Sequence, residues 1–261
     1  MTTYTTTTGE ARPVQTTRTD PIGVLPLHAE LYLLAHDDDT GKQLINEQTL
    51  AIGLAGALLL ELWFTKHIYI GWGFDTWKQQ WYEAPGQLAV AKSGPTANSL
   101  TDAALAAVER VARIHTSGDA LRTWLRGFAA NDLPERVRAN LIMIGLLRRT
   151  QVSRWGGLVK TETYLPVHHR YAVRARAHVK DAVAYHERQG RHRTSPDDQT
   201  VALCGLTAAL ELAEFLYDGR STRELTQWLR YVVEQHDEAT VRAVVTAVDA
   251  GRGDLAVAAM R

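Results

Sequence analysis

Residues 49–64 read TLAIGLAGALLLELWF, and from Leu50 to Leu60 the run carries no charged side chain. Gly53, Ala55, Gly56 and Ala57 crowd small residues into its first half. A helix that is apolar on every side belongs in the middle of a packed protein or in a bilayer. A membrane span needs about 20 apolar residues, whereas Glu61 closes this run after eleven and Lys66 follows soon after. The stretch predicts a buried central helix whose small residues let neighbouring helices approach closely.

The rest of the composition fits a packed body around such a helix. A chain of 261 residues that is 45% hydrophobic has material for a sizeable core. Its formal net charge is zero, so no global field draws it to nucleic acid or to an acidic membrane, and any such attraction must come from a local patch. The single cysteine, Cys204, sits in the apolar run VALCGLTAAL and reads as a small core residue rather than a nucleophile. One cysteine forms no intrachain disulfide, which fits a reducing cytoplasm. The N-terminus lacks a basic start followed by an apolar core, so no secretory signal is expected.

Residues 1–20 are Thr-rich and almost free of large apolar side chains, which predicts a disordered tail ahead of one domain over 21–261. Leu27, Leu31 and Leu34 then have the spacing of a short amphipathic helix. A polar turn, DDDTGK, follows, with Gly41 free to adopt a left-handed conformation. Asp37, Asp38 and Asp39 are consecutive and point in different directions, unlike the alternating oxygens of a calcium loop. No metal site is expected there.

Beyond the central helix, alternation in HIYIGW and the glycines predict a hairpin. Trp72, Phe74, Trp77, Trp81 and Tyr82 fall within eleven residues. Two readings stand: an aromatic face packed on the helices or across a subunit interface, or an exposed finger of the kind Trp and Tyr form at membrane–water boundaries. Helices resume over LTDAALAAVERVARI, capped by Ser99 or Thr101, then over LRTWLRGFA and LPERVRANLIMIGLLRRT. QVSRWGGLVKTETYLP predicts a second hairpin, turning at Gly156-Gly157.

A helix followed by a hairpin suggests a winged helix, but the chain has neither a basic excess nor a clear recognition helix, and nucleic-acid binding is not expected. HHRYAVRARAHVKDAVAYHERQGRHRT predicts a basic helix with Ala172, Ala175, Val179 and Val183 inward. Two or three alanine-rich helices close the chain. No phosphate loop, GxGxxG, GxSxG, HExxH or Cys/His ligand spacing occurs, so neither catalysis nor a cofactor is expected. Glu61 reads as a buried acid satisfied by a neighbouring Arg.

Five blocks in this order carry a resemblance: LYLLAHDDDTGKQL, LAIGLAGALLLELWFTKHI, AKSGPTANSLTDAALAAVERV, VRANLIMIGLLRRT and PDDQTVALCGLTAALELAEFL. Together they resemble the Golgi phosphoprotein 3 family, in particular its bacterial, actinomycete-type branch, from about Leu25 to Gly251. The resemblance implies a mainly α, single helical-bundle domain with peripheral β-hairpins and a peripheral membrane protein. Eukaryotic members bind phosphatidylinositol 4-phosphate and act as adaptors that retain glycosyltransferases. They use a Trp before the central helix, an Arg in its first half and two Arg at the start of a later helix. Counting from Glu61 and Gly145, those four positions fall on Asn46, Ala55, Asn131 and Pro134, so none of the four residues is retained. Asn46 with its neighbours Lys42, Arg136 and Arg138 are the candidates to receive another anionic headgroup. The sequence thus leads to a cytoplasmic, non-enzymatic protein that associates with anionic lipid at the inner membrane surface, with Trp72, Phe74, Trp77 and Trp81 as the contact. The alternative is a protein–protein adaptor or scaffold that oligomerises through the same hairpin.

Overall fold

The computed structural model describes residues 24–75, 77–96, 98–114, 119–154, 159–188, 195–216 and 219–259. The tail expected over 1–20, the Gly156-Gly157 turn and His192 lie outside the described residues. Helix α2 spans Glu47–Phe64, and every residue from Leu50 to Leu60 is buried. It is long and apolar enough to cross a membrane, yet 72% of that window is buried inside the protein, so it serves as the core helix. Around it stand α1 (Leu27–Leu34), α3 (Ser99–Ile114), α4 (Ala120–Ala129), α5 (Leu133–Met143), α6 (Arg170–Glu187), α7 (Asp198–Ala209), α8 (Thr222–Glu234) and α9 (Ala239–Ala259). Two antiparallel hairpins project from this body: β1 (Ile68–Asp75) with β2 (Gln80–Val90), and β3 (Leu147–Arg154) with β4 (Val159–Pro166). The fold is mainly α.

The small residues of α2 are there for close approach. A Cβ built on Gly53 would lie 2.4 Å from Leu210 Cδ1, and one on Gly56 would lie 2.6 Å from Val248 Cγ2. From the other side, Gly205 of α7 admits Val245, and Gly251 of α9 admits Ile52 of α2. Helices α2, α7 and α9 therefore interlock, each glycine leaving a notch that a side chain of its neighbour fills.

Helix α1 departs from the amphipathic reading, because all eight of its residues are buried, His28 and Glu30 included. Polar groups at such positions must find partners. Pro26 at the N-cap offers no side-chain acceptor; instead Glu61 of α2 reaches across. Its Oε1 accepts from the His28 backbone N–H at 2.8 Å and lies 2.8 Å from His28 Nδ1. A remote carboxylate thus caps α1. The partner of Glu61 is a histidine and a backbone amide rather than the arginine expected. Glu30 accepts from Gln199 Nε2 at 3.0 Å and lies 2.9 Å from His178 Nδ1, tying α1 to α6 and α7.

Two element boundaries also shift. Asn98, not Ser99 or Thr101, caps α3, its Oδ1 accepting from the Leu100 N–H at 2.8 Å. Helix α5 ends at Met143 because Gly145 turns left-handed at φ +77°, with the Gly145 and Leu146 N–H groups bonded back to Ile142 and Leu141. LLRRT therefore begins the second hairpin instead of extending the helix.

Two outcomes follow from this packing. Gly56→Val forces branched carbons into Val248 and should lower unfolding stability by about 1–3 kcal/mol. Gly127→Ala, on an open helical site, should raise it by about 0.5–1 kcal/mol, both read by urea denaturation. His178 has its pKa raised above 6.5, chiefly by its hydrogen bond to Glu30. Its contribution is full below the unfolded value and fades as pH rises through the folded one. His178→Asn should therefore cost more stability at about pH 5.5 than at about pH 8.5.

Candidate functional site

The residues chosen from sequence fall in three places. Lys42 lies exposed on the turn after α1, whose geometry is fixed locally. Asp37 Oδ1 accepts from the Thr40 N–H at 2.8 Å and from Thr40 Oγ1 at 2.6 Å, and Gly41 takes φ +65°. A Cβ on Gly41 would meet Tyr164 O at 2.5 Å, and Thr163 Oγ1 donates to Thr40 O at 2.5 Å, so the turn is pressed against β4. Asp38 pairs with Arg176 of α6. The DDDTGK motif is thus a structural clasp between α1, α6 and the second hairpin. Among the described residues no group of three His, Cys, Asp or Glu is arranged to hold a metal.

Arg138 belongs to the same neighbourhood. Its guanidinium lies 4.5 Å from the centre of the Tyr164 ring and donates to Glu135 Oε1 at 2.9 Å. It also acts on Tyr32, whose hydroxyl burial drives up to a pKa of about 12 against the lowering pull of Arg138. His36, stacked on Tyr32 with ring centres 4.0 Å apart, is lowered to about 4, mainly by burial. Arg136, two residues back, points to the other side of α5, over the Phe128 ring at 5.3 Å. Asn46 caps α2, accepting from the Gln48 N–H at 2.8 Å. The structure therefore sets Arg138 over Tyr164, leaves Lys42 exposed beside Gly41, sends Arg136 to Phe128 of α4, and leaves Asn46 at the start of α2.

A cleft of about 460 Å³ opens where the start of α2, the end of α4, the start of α5 and the end of α9 meet. Ala51, Ile52, Ala129, Pro134 and Leu255 form its apolar walls, and Glu47, Gln48, Arg126 and Asp132 supply polar groups. Pro134 is among the four positions reached by counting, and Asn46 and Asn131 directly precede Glu47 and Asp132 in the chain. Ala55 lies one turn deeper in α2 and is buried. Arg126 is paired with Asp254 of α9. The sequence reading missed Glu47, Arg126, Asp132 and Asp254. Glu47 and Asp132 look like ordinary helix-start acids, and nothing in the sequence brings them to α9.

The third place is the aromatic hairpin. Its base is core: Ile68, Ile70 and Leu88 are buried. A bulge between Ile70 and Trp72, with Gly71 and Gly86 at positive φ, resets the register so that Phe74 faces Trp81 and Trp72 faces Glu83. Trp81 then contacts Tyr69 edge-on at 4.7 Å and Phe74 at 5.0 Å between ring centres. Trp72, Phe74 and Trp81 remain 39, 40 and 41% exposed, and Trp77 at the turn is 96% exposed beside Lys78. The opposite face is closed by Tyr82 lying over Gly73, where a Cβ would come within 2.5 Å of the ring. The aromatic face is one platform that keeps about two-fifths of Trp72, Phe74 and Trp81 in water, with Phe74 and Trp81 also lining a groove with Ala112 of α3.

The Golgi phosphoprotein 3 (GPP34) family model matches residues 27–250, nearly the whole described body. The chain belongs to the Golgi phosphoprotein 3 family. No curated protein matches the chain. The match spans the clasp, the core helix, both hairpins and α9 as far as residue 250, short of Leu255 in the cleft. Because Arg138 is held by Tyr164 and Glu135 while Lys42 is not so held, Arg138→Ala should lower stability by about 1–2 kcal/mol. Lys42→Ala should change it by less than about 0.5 kcal/mol. Urea midpoints check both.

Proposed function

We propose that this member of the family is a non-enzymatic peripheral protein that docks on an anionic membrane surface through the tip of its first hairpin, on the cytoplasmic side. The observation that carries the reading is the aromatic platform. Trp72, Phe74 and Trp81 stand together, and Trp77 projects almost wholly into solvent beside Lys78. Tyr and Trp gain at the headgroup boundary because one end is apolar and the other wet. A neighbouring ammonium adds attraction to anionic headgroups, screened within about 8 Å at physiological salt. Family membership supports the same direction. The hairpin base, buried against the helices, anchors the finger to a rigid body.

Surface docking in this form needs no stereospecific headgroup. Recognition of a phosphomonoester requires several charge-assisted donors aimed at one point. Arg136 and Arg138 serve Phe128 and Tyr164, and the cleft near Asn46 carries two carboxylates. The lipid selectivity we propose is therefore for net negative charge rather than for phosphatidylinositol 4-phosphate.

Co-sedimentation with vesicles of anionic and of neutral lipid, at low and high salt, tests this directly. Pelleting should be strongest with anionic vesicles and weaken with salt. Trp77→Ser should reduce partitioning by roughly thirtyfold, since burial of a large apolar side chain contributes on the order of 2 kcal/mol. Absence of pelleting with every composition overturns the reading. A concentration-dependent dimer that is lost in the same variant would support instead an adaptor that self-associates through the hairpin.

A further inference from the structure

We infer that the groove between the first hairpin and α3 seats one acyl chain of a membrane phospholipid, a role that rests on the membrane docking proposed above. Phe74 enters the groove from β1, Trp81, Tyr82, Leu88 and Val90 from β2, and Ala112 from the last turn of α3. Together they enclose about 390 Å³, a volume in the range of small-ligand sites. Leu88 is buried in the core, which ties the groove to the body of the protein. Tyr82 is pressed over Gly73, where a Cβ would come within 2.5 Å of its ring, so the aromatic wall is held in place at the backbone.

The chemistry of the walls selects the occupant. Among the described residues no Asp, Glu, Lys, Arg or His lines the groove, and Gln87 brings its one side-chain amide. A charged ligand would lose its hydration there and meet no counter-charge. A peptide segment brings an N–H and a C=O at nearly every residue, each needing a partner when buried. A hydrocarbon chain brings neither, and it gains by burial against the aromatic faces. Phe74 and Trp81 also belong to the platform that meets the membrane, so groove and platform share one wall. The platform works at the level of the headgroups, and the groove gives a single chain somewhere to go.

Titration of the full chain with monomeric dihexanoyl- and dioctanoyl-phosphatidylglycerol, followed by tryptophan fluorescence, tests it. Both should bind, the longer lipid roughly tenfold tighter, because the seated chain gains two methylenes. Exchanging the glycerol headgroup for choline should change affinity by less than about fivefold, the reach of an exposed ion pair. Ala112→Phe fills the groove from α3 and should weaken the dioctanoyl lipid at least about tenfold, and Ala112→Leu should weaken it less, with both urea midpoints near that of the parent. Trp77→Ser, outside the groove, should leave monomer binding unchanged while it weakens vesicle pelleting. Equal affinity for both chain lengths, or equal affinity in parent and Ala112→Phe, would overturn the inference. Pelleting of the parent on anionic vesicles without any monomer binding would overturn it and leave the membrane reading standing. Monomer binding without pelleting would support the groove and overturn the membrane reading instead. A dimer that Ala112→Phe abolishes and monomeric lipid does not disperse would give the groove to a second copy of the chain and overturn the inference.

Discussion

The close approach of helices at Gly53, Gly56, Gly205 and Gly251 is the constraint on which the remaining architecture rests. Interiors packed to crystal density tolerate no misfit between neighbouring helices. Where Leu210 and Val248 enter notches in α2, the axes of α7 and α9 are set relative to it. Those axes in turn place the end of α9 beside the start of α2, where the cleft forms. Larger side chains at the notches would move α9 outward and open the cleft to solvent. The core and the candidate site are thus one geometric problem.

Charge inside the bundle performs a second task, which is to orient α1. A helix buried on all sides has no preferred rotation from hydrophobicity alone. Glu61 reaching the His28 amide, and Glu30 reaching Gln199 and His178, supply directional contacts that do have one. Polar groups in such positions are costly when unpaired and specific when paired. The clasp at DDDTGK continues the same logic outward, with Asp38 on Arg176 and Gly41 under Tyr164. Motif residues that invite a ligand reading are occupied in holding three elements together. The hairpin tip and the cleft, by contrast, face solvent.

The central helix was legible in the sequence because an uninterrupted apolar run with glycines has few other uses, and the order of blocks around it carried the family. The inward face of α6 was legible for the same reason: Ala172, Ala175, Val179 and Val183 keep helical spacing and are all buried. What escaped depended on distance in space. The rotation of α1 is set by Glu61, 33 residues away from His28, and periodicity within α1 holds no trace of it. The end of α5 hinged on one left-handed glycine inside an apolar run that helix and strand share equally well. Arg136 and Arg138 are indistinguishable as letters, yet helical geometry sends them to Phe128 and Tyr164. The cleft carboxylates were invisible because Glu47 and Asp132 are 85 positions apart. On the hairpin, alternation alone could not give the register; the bulge between Ile70 and Trp72 sets it and brings Trp72, Phe74 and Trp81 to one face.

Amide hydrogen exchange, followed along the chain with and without anionic vesicles, tests the central claim most directly. If α2 is the sealed core, its amides from Leu50 to Leu60 exchange only by global unfolding and are indifferent to lipid, while added vesicles slow exchange in the segment from Tyr69 to Tyr82. Fast exchange of α2 in solution that becomes protected only when vesicles are present would contradict the account, because it would make that helix a membrane element rather than the centre of the fold.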